Sequence, residues 1–243
     1  MTARAAAAAA PVGRRASVGP VPPVVPADRR HIGTVADLVA EAFAELPAVA
    51  WLVPDGDRRA IPRGHFALLV EHAMTWGEVH LTTDGAGAAV WFFRDGDPPP
   101  PPADYDARLA AATGAYLDRF RVLDELFDAH HPGEPHHHLG LLAVRPGRQG
   151  AGYGTALLRH HHRRLDAEGI AGYLEASSAA SRALYARHGY LDRGRFRLPD
   201  GPPFYPMWRP PAGPRAGGGT RVGEGASAGG GPPAAPRRAG VPR

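Results

Sequence analysis

The sequence predicts an α/β or α+β domain built on a mixed sheet. Strands and helices alternate through its second half, while the first half reads helix, helix, hairpin, helix. Between the halves lies an apolar run, His138-Leu-Gly-Leu-Leu-Ala-Val144, closed by Arg145-Pro146-Gly147. Its length and flanks mark a buried strand.

Taken in order, Thr34 with Asp37 three residues on resembles a capped helix start. Val35, Leu38, Val39, Ala42, Phe43 and Leu46 follow at helical spacing, and Pro47 is read as the stop. A second helix is expected over 62–76, with Phe66, Leu69, Val70 and Ala73 on one face. Strands over 78–83 and 86–93 meet at Asp84-Gly85, a hairpin signal. Pro98–Pro102 forms a stiff connection to a third helix over about 105–129. After the apolar run come a helix over 152–168, a strand over 170–175, a helix over 179–188, and strands over 190–197 and 203–208.

Composition bounds the class. The chain has 243 residues, with 31 glycines and 27 prolines, so part of it is expected to lie outside a core. Residues 1–27 are Ala, Pro, Val and Arg without periodicity, and residues 209–243 are rich in Gly, Pro and Arg. Both are read as disordered tails around a single domain over 28–208. The net charge of +4 belongs to those tails, at +3 and +5, leaving the middle at −4. A DNA-binding fold would concentrate positive charge on its folded face. A mildly acidic domain suits a cationic substrate, and no nucleic-acid partner is expected. There is no cysteine, which excludes disulfides, thiolate metal sites and cysteine nucleophiles. No apolar run approaches the ~20 residues of a membrane helix. The reading is a soluble, cytoplasmic protein without a membrane partner, a monomer or homodimer.

Chemistry concentrates after the apolar strand. There Arg148-Gln149-Gly150-Ala151-Gly152-Tyr153-Gly154-Thr155 opens a helix. Glycines allow close backbone approach, and the free N–H groups of a helix start, with its dipole, bind anions. The spacing is not Gly-x-Gly-x-x-Gly, and there is neither a Gly-Lys-Ser/Thr nor any lysine, so dinucleotide and P-loop readings fall away. A coenzyme A pyrophosphate remains as the ligand reading, beside a glycine-rich strand-helix turn that holds no ligand.

Val144-x-Pro146-x-x-Gln149-x-x-Gly152-x-Gly154 resembles the acetyl-CoA signature of the GNAT superfamily of N-acetyltransferases. Leu184-Tyr-Ala-Arg-His-Gly-Tyr190 resembles that superfamily's later helix, and Ala88-Ala-Val-Trp91 with Glu134-Pro135 is similar to the puromycin N-acetyltransferase-like group of actinobacteria. The resemblance covers 28–208. It implies a mostly antiparallel sheet, a splay between two central strands and helices on both faces. It also implies acetyl transfer from acetyl-CoA to a primary amine of a small molecule, an antibiotic or a metabolite. A non-catalytic acyl-CoA-binding module on the same fold is the competing reading.

The resemblance also assigns roles. Leu142, Ala143 and Val144 would pair with the pantetheine arm, and an N–H near Ala143 or Val144 would polarise the thioester carbonyl. Amides of Gln149, Gly150, Ala151, Gly152, Tyr153, Gly154 and Thr155 would hold the pyrophosphate. Tyr185 matches the tyrosine that protonates the departing thiolate. Ser181 stands where relatives often carry a cofactor-contacting Asn. Glu175 is the candidate base, with Glu134 and His138 behind it.

Two histidine triplets, His136–His138 and His160–His162, invite a metal reading. Consecutive residues alternate faces on a strand and fan by ~100° on a helix, so neither triplet converges on one ion alone. No metal is expected.

Overall fold

The computed structural model describes residues 20–96 and 98–211. Eight strands are described: β1 (Val24–Pro26), β2 (Gly77–Thr82), β3 (Gly87–Arg94), β4 (His136–Val144), β5 (Ala171–Ala176), β6 (Leu191–Asp192), β7 (Phe196–Arg197) and β8 (Pro203–Arg209). Their order is β1-β2-β3-β4-β5-β8-β6, with β7 on β8. Every pairing is antiparallel except β4 with β5.

Helices cover both faces. α1 (Ile32–Phe43) and α3 (Ala60–Trp76) cover one, burying Val35, Leu38, Val39, Phe66 and Val70 against Val79, Val90, Leu141 and Ala143. On the other, α6 (Tyr153–Glu168) and α7 (Ala179–Ala186) bring Leu157, Leu158 and Tyr185 onto Trp91, Leu139, Leu174 and Ala176. Three further helices, α2 (Pro47–Leu52), α4 (Tyr105–Thr113) and α5 (Leu117–His130), complete the first half.

Three expectations need correction. The first helix is entered at a 3-10 turn, Arg29–His31, not at Thr34. Asp28 caps that turn by accepting from the Arg30 N–H, and the His31 ring accepts from the Asp28 N–H, a reciprocal pair that Thr34 lacks. Pro47 does not end structure but opens α2 at the first helical position, where its missing N–H costs nothing. The helix expected over 105–129 breaks at Gly114, whose φ of +54° turns the chain into a 3-10 link before α5.

The tail boundaries also move. Residues 20–27 are not disordered: β1 pairs Val24 with Thr82 and Pro26 with His80. The Ala27 N–H donates to the Val79 carbonyl (2.8 Å) and the Thr83 N–H to that of Pro23 (3.0 Å). Proline-rich composition hid the strand, because an edge strand tolerates prolines that an interior one does not. Similarly, β8 runs through Arg209, which pairs with Asp166 at 2.5 Å. Residues 1–19 and 212–243 lie outside the described residues. A chain starting at residue 28 should therefore melt roughly 3–8 °C below one starting at residue 20, since ~2–4 °C accompanies each kcal/mol in a domain of this size. Calorimetric melts of the two truncations check this.

Candidate active site

The ladder between β4 and β5 holds for three pairs only, ending at His138↔Tyr173. Beyond it the strands diverge, and among the described residues the β4 edge from Leu139 to Val144 has no strand partner on that side. This is the expected splay. A bulge sharpens it: Val90 pairs with Leu141 and Trp91 with Leu139, so Gly140 is the extra residue. The bulge reverses the alternation, sending Leu139 to the α6/α7 face and Leu141 to the α1/α3 face. A Cβ on Gly140 would lie 2.8 Å from the Phe92 ring, so glycine is needed there.

Leu142, Ala143 and Val144 line the opened edge, the side chain of Ala143 buried. Next comes the turn, where Gly147, Gly150 and Gly152 have φ of +82°, +76° and +93°. Gly152 is the N-cap of α6 and provides no side-chain cap, so the N–H groups of Tyr153, Gly154 and Thr155 face outward from the first turn. Tyr153 itself is anchored: its ring is buried and its hydroxyl donates to Asp84 at 2.7 Å, leaving its amide for a ligand. Gly154 has a packing reason as well, for a Cβ there would meet Leu184 of α7 at 3.2 Å. Gln149 is exposed and its amide donates to the Val144 carbonyl at 3.5 Å. Ala151 bends back to Arg148. The cradle of open backbone amides and glycines fits a pyrophosphate.

Ser181 is occupied locally. It is the third residue of α7, and its hydroxyl closes a reciprocal cap with Ser178, accepting from the Ser178 N–H at 3.1 Å. A cofactor contact from Ser181 would have to share that hydroxyl.

Glu175 lies on β5 just past the last ladder pair, its side chain only 2% exposed. Strand alternation puts it with Tyr173 on the face away from α6 and α7. No arginine forms an ion pair with it among the described residues. Instead His138 Nε2–H donates to Oε2 at 2.8 Å, bridging β4 and β5 at the mouth of the splay. His131 Nδ1 approaches Oε1 at 3.8 Å. Oε1 itself is buried without a hydrogen-bond partner. Of the two lesser candidates, the fold brings His138 to Glu175, whereas Glu134 is over half exposed and pairs with Arg193 at 3.0 Å. His131 escaped the sequence reading. Its only signal was proximity in sequence to the His136–His138 strand.

Burial holds several histidines neutral. Desolvation, with His138 and Arg94 nearby, lowers His131 to about 2, and desolvation lowers His136 and His65 to about 4. Each takes up a proton on unfolding once the pH falls below the unfolded value near 6.5, so the unfolded state binds more protons and stability falls with pH. The loss continues down to the folded value. On the order of 1 kcal/mol per histidine should be gone by pH 5.5, and melting temperatures between pH 7.5 and 5 should drop accordingly.

Tyr185 sits on the opposite side of β5. Its ring packs with Leu174 and Ala176, and burial pushes its phenol up, so it stays protonated at neutral pH. Acid and base candidates thus flank the strand that borders the splay from its two faces. A cavity of about 240 Å³ opens on the Glu175 face, lined by Tyr173, His130, Glu134, Arg193 and Pro206, the register partner of Glu175. Trp51 meets the turn between β7 and β8: its Nε1–H donates to the Pro199 carbonyl at 2.7 Å beside a separate cavity.

The model of the Acetyltransferase (GNAT) family matches residues 67–190. Among solved structures, the chain is similar to a Corynebacterium glutamicum protein described as histone acetyltransferase HPA2 and related acetyltransferase. That likeness has 30% identity and a TM-score of 0.62, covering 81% of this chain and 99% of that one. Arylalkylamine N-acetyltransferase 2 of Aedes aegypti is similar at 13% identity and TM-score 0.57, over 77% and 98% of the two chains. So is the polyamine N-acetyltransferase of Drosophila melanogaster, at 17% identity and TM-score 0.54, over 77% and 100%. The chain belongs to the GNAT family of acetyltransferases. No helix among the described residues is long and apolar enough to cross a membrane.

The cradle assignment makes a specific prediction. A Cβ on Gly150 would meet nothing within 4 Å, so Gly150→Asp adds negative charge without a clash inside the protein. Coenzyme A affinity should fall at least tenfold, equivalent to ~1.4 kcal/mol, while the φ of +76° strains the aspartate by ~1 kcal/mol and lowers the melting temperature by ~2–4 °C. Calorimetric titration with coenzyme A is the check.

Proposed function

We propose that this protein is an N-acetyltransferase that moves an acetyl group from acetyl-CoA to a primary amine of a small molecule. The observation that carries this is Glu175: a buried carboxylate at the mouth of the splay, oriented by His138, with one oxygen left unpaired. An unpaired buried acceptor is what an incoming ammonium group needs, and what a protein that only stores acyl-CoA does not.

The β4 edge at Leu142–Val144 pairs with the pantetheine arm, and the open amides among residues 149–155, that of Ala151 being turned to the Arg148 carbonyl, hold the pyrophosphate. The acceptor amine enters from the Glu175 face and loses a proton to Oε1, directly or through water. Its lone pair attacks the thioester carbon, and the developing oxyanion is stabilised by an N–H near Ala143 or Val144. As the C–S bond breaks, Tyr185 gives its proton to sulfur. Glu175 holds the proton lost by the ammonium, the nitrogen's second proton passes through water to the Tyr185 phenolate as the amide forms, and exchange with solvent returns Glu175 to its carboxylate.

The likeness to arylalkylamine and polyamine acetyltransferases, and the Ala88–Trp91 resemblance to the puromycin enzyme group, support small cationic amines as the acceptor class. We place the enzyme in the cytoplasm, where acetyl-CoA is made, with a single catalytic domain inside the described residues. The test is release of free coenzyme A thiol from acetyl-CoA against a panel of arylalkylamines, polyamines, puromycin and aminoglycosides. Amine-dependent release supports the proposal. Tight coenzyme A binding with no amine-dependent release across the panel counts for the non-catalytic reading.

A further inference from the structure

Away from the splay, the first strand of the hairpin and the long helix α6 bring together a second group of side chains that the acetyl-transfer chemistry does not use. Glu78 and His80 stand two residues apart on β2 and so share a face. α6 packs on that face and presents His161. The Glu78 Oε2 atom lies 3.4 Å from His80 Nε2 and 3.4 Å from His161 Nδ1. We propose that Glu78, His80 and His161 form a binding site for a divalent transition-metal ion, zinc by preference, that ties β2 to α6.

The spacing is the first argument. A charge-assisted N–H···O⁻ hydrogen bond closes to roughly 2.7–2.9 Å, and neither pair does. A tetrahedral ion with bonds of roughly 2.0–2.1 Å separates its ligand atoms by roughly 3.3–3.4 Å, which is the separation present twice here. Orphaned polarity is the second. The His161 side chain is fully buried, and among the described residues its Nδ1, 3.4 Å from the carboxylate, has no hydrogen-bond partner of good geometry.

The surroundings are the third. His161 Nε2 is 2.9 Å from His137 Nδ1. With Nε2–H donating to His137, the Nδ1 lone pair points at the carboxylate oxygen, an arrangement that a cation between them makes favourable. Such an outer hydrogen bond is how metal-bound imidazoles are fixed in tautomer and orientation. Trp91 stacks on the same ring, centroids 4.0 Å apart. Arg164 engages the other carboxylate oxygen of Glu78 and is itself paired with Glu168 at 2.9 Å, leaving Oε2 for the ion. The His160 ring packs edge-on against His80, centroids 4.6 Å apart. Two imidazoles and a carboxylate suit zinc and its neighbours rather than calcium or magnesium.

The earlier geometric objection is also met. Neither histidine triplet converges by itself, but β2 supplies the missing ligands. The site is separated from the splay by β3, so its role is to pin strand to helix.

The experiment is calorimetric titration of the full chain, carrying no polyhistidine tag, with zinc chloride after chelator treatment, alongside thermal melts. The expected result is one zinc per chain, with a melting temperature raised by about 5–10 °C at a hundredfold excess over Kd. Glu78→Gln keeps the volume of a half-buried side chain and should weaken binding at least tenfold. His80→Gln should do the same, while Glu175→Gln retains the zinc. Absence of zinc binding by the wild-type chain overturns the proposal. So does binding that survives Glu78→Gln and His80→Gln, or binding that is lost in Glu175→Gln, which would place the ion on His131, His138 and Glu175 instead.

Discussion

Replacing Glu175 by glutamine should lower kcat/KM for the acceptor amine by about 10²–10⁴-fold near neutral pH, the range that general base catalysis supplies. Glutamine keeps the shape and can still accept from His138 Nε2–H, so the strands should stay bridged and the melting temperature should move little. What it cannot do is take a proton. A primary amine resembling a lysine side chain has a pKa near ~10.4, so almost all of it arrives as ammonium at pH 7. As the pH rises toward that value the free amine becomes available without help. The deficit of the variant should therefore shrink steadily between pH 7 and 10. A purely structural Glu175 predicts another pattern, a lowered melting temperature with a rate deficit independent of pH. Rates against pH for the two proteins, with affinity for acetyl-CoA measured in parallel, decide between them.

The strand, turn and helix start of this site were legible in the sequence because they are local. A strand, three glycines and a helix start are adjacent in the chain, and there the structure has positive φ at Gly150 and Gly152 and no side-chain cap at the start of α6. The alternation of apolar and polar positions likewise placed β2, β3, β4, β5 and α6 within a few residues of their bounds. What stayed hidden depends on contacts between distant segments. Nothing near Glu175 in sequence announces that His138, 37 residues earlier, donates to it, or that His131 closes on its other oxygen. The bulge at Gly140 was invisible for the same reason, because the register with β3 creates it. The histidine triplets show the limit most clearly. Taken alone each fans its side chains apart, and only the packing of α6 on β2 turns His161 toward Glu78. β1 was missed through composition: a proline-rich segment reads as disordered until an exposed strand edge is there to receive it. For Ser181 the structure adds a helix cap with Ser178, a use that its place three residues after Ser178 already fitted.

Tyr185→Phe tests the other half of the proton inventory. The ring of Tyr185 is buried against Leu174, Ala176 and Tyr190, and phenylalanine preserves that packing. Among the described residues its hydroxyl makes no hydrogen bond, so its removal leaves no partner stranded inside the protein. Stability should change by less than ~1 kcal/mol. Binding of acetyl-CoA should also be nearly kept, because a phenol facing a neutral thioester sulfur contributes little before the bond begins to break. The effect belongs to the transition state, where the leaving thiolate gains charge. Losing the proton donor there should lower kcat by roughly 10²–10⁴-fold. Burial pushes the phenol up, so the donor is protonated throughout the neutral range, and the wild-type rate should show no alkaline loss attributable to it below pH 9. If Tyr185 is only a core aromatic, the variant keeps kcat. A kcat within threefold of wild type, with chemistry rate-limiting on a confirmed acceptor, would remove the tyrosine from the mechanism and leave solvent to protonate the thiolate.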